Sequence, residues 1–82
     1  QMFINKSNDG KNNICGYNIS LLRKAMNISQ RKPADKMQIA GLDIDKNAIQ
    51  RIEAGKRFVT DIELLAFSKV FNVRLEDLLY IA

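Results

Sequence analysis

An all-α fold of five short helices is the architecture this 82-residue chain predicts. Three observations carry it. Apolar residues recur three and four apart, helix-stop residues follow each such run, and no stretch of the folded part alternates with the two-residue period of a strand. The first helix, read from Asn18, has Ile19, Leu22 and Met26 on one apolar stripe and Arg23 and Lys24 elsewhere. Asn27 stops it, because a short amide side chain tolerates positive φ. Ser29 then reads as the N-cap of a second helix that turns Ala34, Met37 and Ala40 inward. Pro33 falls in its first turn, where a missing N–H does least harm. Gly41 ends that helix, and Leu42, Asp43 and Ile44 make a short turn. Asp45 caps a third helix that runs through Ala54 and terminates at Gly55. Thr60 and Glu63 form a T-x-x-E capping box opening a fourth, with Leu64, Phe67, Val70 and Phe71 as its buried stripe and Asn72 as its stop. Leu75, Leu78 and Leu79 read as a closing helix with Glu76 and Asp77 in the first turn, where the helix dipole favours acids.

Length allows one domain, and the pattern divides it into an N-terminal arm over residues 1–15 and a folded domain over 16–82. The arm is rich in Asn, Ser, Gly and Lys with one apolar cluster at Met2, Phe3 and Ile4, and its lack of period predicts loose order. A composition 46% hydrophobic and 27% charged supports a modest core. Cys15 is alone, which rules out an intramolecular disulfide and a four-ligand Cys/His zinc site; a buried filler is its expected role. No apolar run approaches the ~20 residues of a membrane span, and no leader pattern opens the chain, so a cytoplasmic location is expected. The chain has no His, no Gly-rich phosphate loop and no carboxylate cluster at metal-ligand spacing. The expectation is therefore a non-enzyme without cofactor or small-molecule substrate.

Charge is unevenly placed. Residues 1–60 hold eleven Lys/Arg against five Asp/Glu, whereas 61–82 hold two against four, within a net charge of +4. A basic front with a mildly acidic back suits a polyanionic partner. The third helix sharpens this. At ~100° per residue, with Lys46 at zero, Gln50 falls near ~40°, Asn47 near ~100° and Arg51 near ~140°. Ala48, Ile49 and Ile52 occupy the opposite arc between roughly 200° and 300°. One face is thus small and aliphatic. The other carries Lys, Gln, Asn and Arg with no acid, and these are the side chains that read base edges.

The residues Ile28, Ser29 and Gln30, the run from Ala48 through Ile49, Gln50, Arg51, Ile52, Glu53, Ala54 and Gly55 to Lys56 and Arg57, and the segment from Val73 to Leu79 carry a family resemblance. The stretch from Asn18 to Leu79 resembles the Cro/phage-repressor, lambda-repressor-like helix-turn-helix DNA-binding domains. That resemblance implies a compact five-helix domain whose second and third helices make the DNA-binding unit, acting on double-stranded operator DNA in a bacterial or phage-type, nucleoid-associated setting. It assigns base reading to Lys46, Asn47, Gln50 and Arg51, and backbone contacts to Gln30, Lys56 and Arg57. It also pairs Glu53 with Arg23, because a carboxylate left facing phosphates would repel them.

Two departures from the family pattern bear on the second helix. From Ser29 to Glu53 the chain is about five residues longer than the common spacing, enough for one more turn and a longer joint. Pro33 stands where the family usually has an apolar helix-former, and Arg74 replaces the usual Ser/Thr cap of the last helix. Two functions stay open: a sequence-specific transcriptional regulator, or an antitoxin or accessory module that uses the same fold to hold a protein. Phe71, Val73, Leu78, Leu79, Tyr80 and Ile81 either supply an apolar patch for a homodimer or simply close the core.

Overall fold

A computed structural model describes residues 10–80. Within them the chain forms α1 (Gly16–Ala25), α2 (Arg31–Ile39), α3 (Lys46–Glu53), α4 (Asp61–Phe71) and α5 (Leu75–Leu79), and no strand. The Met2, Phe3 and Ile4 cluster of the arm and Ile81 lie outside the described residues.

Each of the four longer helices ends in the same way. Asn27, Gly41, Gly55 and Asn72 adopt positive φ of 56°, 91°, 77° and 54°. At each, the following N–H returns to a carbonyl five residues back: Ile28 to Arg23, Leu42 to Met37, Lys56 to Arg51 and Val73 to Ser68. These are Schellman turns, which satisfy the orphan carbonyls of a helix end and throw the chain sharply sideways. Short helices with sharp exits let elements meet that are far apart in sequence: α1 packs on α3 and α5, α2 on α3 and α4, and α4 on α5.

Between them lies a core of Cys15, Ile19, Ala34, Met37, Ile44, Ala48, Ile49, Ile52, Phe67, Phe71 and Leu78. Phe67 and Phe71 sit one turn apart on α4 with ring centroids 6.3 Å apart. Burying Ile49 and Ile52 contributes about 2 kcal/mol each, which fixes α3 against the body of the molecule. Among the described residues no helix is long and apolar enough to cross a membrane.

Several boundaries differ from the sequence expectation. Helix α1 begins at Gly16 rather than Asn18, because the Asn13 side chain accepts the Gly16 N–H at 2.8 Å. Asn18 is then buried, and its amide donates to the carbonyls of Leu78 and Tyr80 at 3.0 and 2.9 Å, closing the end of α5. Met26 is half exposed: the Schellman turn after it brings Ile28 back onto the core in its place. Ser29 is not the cap of α2. Pro33 has no N–H to give the Ser29 carbonyl, so the first i to i−4 bond runs from Ala34 to Gln30, and Gln30 becomes the N-cap.

Ala40 and Ile39 overhang the core and are exposed, the latter to 87%. Leu42 and Ile44 of the connector pack inward instead, and Gln38 donates to the Ile44 carbonyl at 3.1 Å. The extra residues between α2 and α3 thus form a structured joint over 40–45 that plugs the core with Ile44. Arg74 caps α5 by half a box. Its N–H donates to the Asp77 carboxylate at 3.0 Å, while its own side chain has no oxygen to accept with. Of the residues offered as a C-terminal apolar patch, Phe71 and Leu78 are core and Tyr80 is 72% exposed.

Candidate nucleic-acid interface

Helix α3 starts where the Asp45 carboxylate accepts the Ala48 N–H at 2.8 Å, satisfying one of the free N–H groups of its first turn. With Ala48, Ile49 and Ile52 buried, Lys46, Asn47, Gln50 and Arg51 are all exposed on one outward face. Together they present ammonium, guanidinium and two amides, with no carboxylate on that arc of α3.

Glu53 belongs to the same helix but points elsewhere. Its Oε2 accepts from Arg23 Nε at 2.7 Å and its Oε1 from Arg23 Nη2 at 3.0 Å, a bidentate pair whose side chains are only 13% and 8% exposed. Hydrogen bonding to Glu53 raises the Arg23 pKa above its already high ordinary value, so the guanidinium stays charged. Arg23 Nη1 also reaches the Ile28 carbonyl at 3.0 Å, which ties the α1–α2 turn to α3. Gln30, at the N-cap of α2, donates to Glu53 Oε1 at 3.1 Å. One of its amide hydrogens is therefore committed inside the molecule, next to an α2 N-terminus that has no side-chain cap.

Past α3, Lys56 is exposed, whereas Arg57 turns back into the protein. Arg57 Nη1 and Nη2 each donate to Glu63 at 3.0 Å, and Nη1 also donates to the Phe58 carbonyl at 3.1 Å. The pairing with Arg57 holds the Glu63 carboxyl below its ordinary value of 4.5, with help from the Thr60 N–H it accepts in the capping box. The geometry gives Arg57 a structural task that its sequence position did not reveal. Cys15 is buried, and desolvation pushes its thiol up to about 11, well away from thiolate reactivity.

Between α2 and α3 lies an open polar cleft of about 320 Å³, lined by Arg31, Asp35, Gln38, Asp45, Lys46 and Asn47 with Ala34 at its floor. Arg31 therefore stands beside the start of α3, a neighbour that sequence reasoning did not assign. The Arg31, Lys32 pair in the first turn of α2 was the available signal. Sequence reasoning also missed Asn12 and Asn13, whose partners lie about forty residues away and leave no local pattern.

Two helices joined by a short structured turn, the second stapled to the core and showing a polar, basic outer face, define a helix-turn-helix unit. The family model for the helix-turn-helix matches residues 19–78. The chain belongs to that family of DNA-binding domains, in its Cro/C1-type form. Neither the curated proteins nor the solved structures provide a match.

Proposed function

We propose that the protein is a sequence-specific transcriptional regulator of Cro/repressor type that reads the major groove of double-stranded operator DNA with α3. The observation that carries this reading is the acid-free outer face of α3, with its single acid, Glu53, withdrawn into the pair with Arg23. Lys46, Asn47, Gln50 and Arg51 are the base readers: Arg and Lys suit guanine O6 and N7, Asn and Gln suit adenine N6 and N7.

Backbone contacts fall to Lys56, to Arg31 beside the cleft, and to Gln30 at the uncapped α2 N-terminus, whose N–H groups suit a phosphate. Arg57 contributes mainly by shaping the turn, since its guanidinium is held by Glu63. In this reading residues 16–82 are the DNA-binding domain, residues 1–15 are its arm, and the site of action is the cytoplasm, where the operator lies.

Selection of bound duplexes from a random pool tests the reading, and an enriched motif is the expected result. Against that motif, Arg51→Ala is expected to cost about 1–3 kcal/mol and relax one base position. Lys56→Ala is expected to weaken all duplexes alike and to reduce the slope of log K against log salt by about 1. Failure to enrich any duplex would remove the regulator reading.

A second reading, an antitoxin or accessory module, has one observation of its own. Tyr17, Leu21 and Tyr80 are about half or more exposed and line a common groove between α1 and α5. A stoichiometric protein complex without salt-dependent DNA binding would favour it.

A further inference from the structure

The described part of the arm is bound to the end of the recognition helix. The Asn12 N–H donates to the Gly55 carbonyl at 2.8 Å, and Asn12 Nδ2 to the Lys56 carbonyl at 2.9 Å. Asn13 Nδ2 donates to the carbonyls of Ile52 and Arg57 at 3.1 and 2.7 Å, while its Oδ1 accepts from Gly16. Gly16 lies so close to α3 that a β-carbon there would strike the Ile52 carbonyl, and one on Gly55 would strike the Lys11 side chain. Two consecutive asparagines thus satisfy four carbonyls at the C-terminal end of α3 and in the turn after it.

Those carbonyls sit where α3 carries the negative end of its dipole, and where the chain offers Lys56. A carbonyl oxygen turned outward there would face phosphate with the wrong sign. We propose that Asn12 and Asn13 are positioning residues for nucleic-acid binding: they turn the carbonyls of residues 55–57 inward and hold the Lys56 backbone at a fixed angle to α3. The inference rests on reading α3 as the DNA-recognition helix.

Stability alone does not account for Asn12. Its Nδ2 gains one bond to Lys56, but its Oδ1 is buried without a hydrogen-bond partner among the described residues. A buried acceptor left unmade costs about as much as the bond on the other side of the amide provides. Replacing the side chain by a methyl group removes the gain and the cost together. The backbone bond from Asn12 to Gly55 survives that change.

The test uses the full chain, the duplex it enriches from a random pool, and the variants Asn12→Ala, Lys56→Ala and the double variant. Asn12→Ala is expected to melt within about 3 °C of the parent and select the same motif. Its affinity is expected to fall roughly 5- to 10-fold with a shallower salt slope, because the Lys56 contact is loosened. Added to Lys56→Ala, it is expected to cause less than a further 2-fold loss, since both changes act through one contact.

Parent-like affinity in Asn12→Ala, or losses that multiply in the double variant, would overturn the positioning role while leaving DNA reading intact. Failure of the parent to enrich any duplex would overturn both. Asn13→Ala is the less informative variant because it also removes the cap on Gly16.

Discussion

Two polar side chains, Asn18 and Glu53, tie this small protein together across long stretches of sequence. Asn18 is buried at 6% exposure and closes two carbonyls at the end of α5. Asn18→Leu keeps the branched shape but orphans both acceptors, and is expected to lower unfolding stability by about 1–3 kcal/mol in urea titration. Glu53 holds Arg23 and Gln30 at once, so Glu53→Ala leaves a poorly solvated guanidinium unpaired. The expected loss is about 2–3 kcal/mol of stability with an unchanged selected motif; an altered motif with unchanged melting would assign Glu53 to recognition instead.

Glu63 adds a pH dependence. Its folded pKa lies below the unfolded value because Arg57 favours the carboxylate, so its contribution is full above about pH 4.5 and is lost as pH falls through the folded value. Melting curves between pH 6 and 3 are expected to show a steeper acid loss in the parent than in Glu63→Gln.

At the scale of elements, what could be read in advance was local. The caps at Asp45 and Thr60, the stops at Asn27, Gly41, Gly55 and Asn72, and the two faces of α3 each depend on residues within about one turn of each other. Such patterns survive folding because their partners are chain neighbours. The rest was set from a distance. Gln30 replaced Ser29 as a cap because of Pro33, Ile44 entered the core from a joint, and α1 gained two residues because Asn13 reaches it while bound to α3. In the site, the four outward side chains of α3 were visible in its period, whereas the engagement of Arg57 with Glu63 was not. Gly16 shows the same conflict between local and tertiary demands. Helix propensity favours Gly16→Ala by about 1 kcal/mol. The collision of the new β-carbon with the Ile52 carbonyl, a backbone group that cannot swing aside as a flexible side chain would, outweighs this. A net loss of about 1–2 kcal/mol is expected from urea titration, whereas local propensity alone would predict a gain.

On the scale of the whole molecule, the uneven charge finds a geometric meaning in the outer face of α3 and the turn after it. Of the eleven cations in residues 1–60, Arg23 and Arg57 are spent on Glu53 and Glu63, while Arg31, Lys46, Arg51 and Lys56 stand around α3. If α3 reads bases as proposed, four base-contacting side chains specify only about four base pairs, a sequence that recurs by chance about every 250 base pairs. One copy would therefore discriminate poorly against bulk DNA, and a regulator needs to double its readout. Two copies related by a two-fold axis place their recognition helices about 34 Å apart along one side of the duplex. The enriched sequence is accordingly expected to be an inverted repeat with half-site centres 10–11 base pairs apart, about one helical turn. Inserting five base pairs between the halves rotates one by about half a turn and is expected to reduce affinity to that of a single half-site. Equal binding to the spaced and unspaced repeats would show that each copy reads its half-site alone.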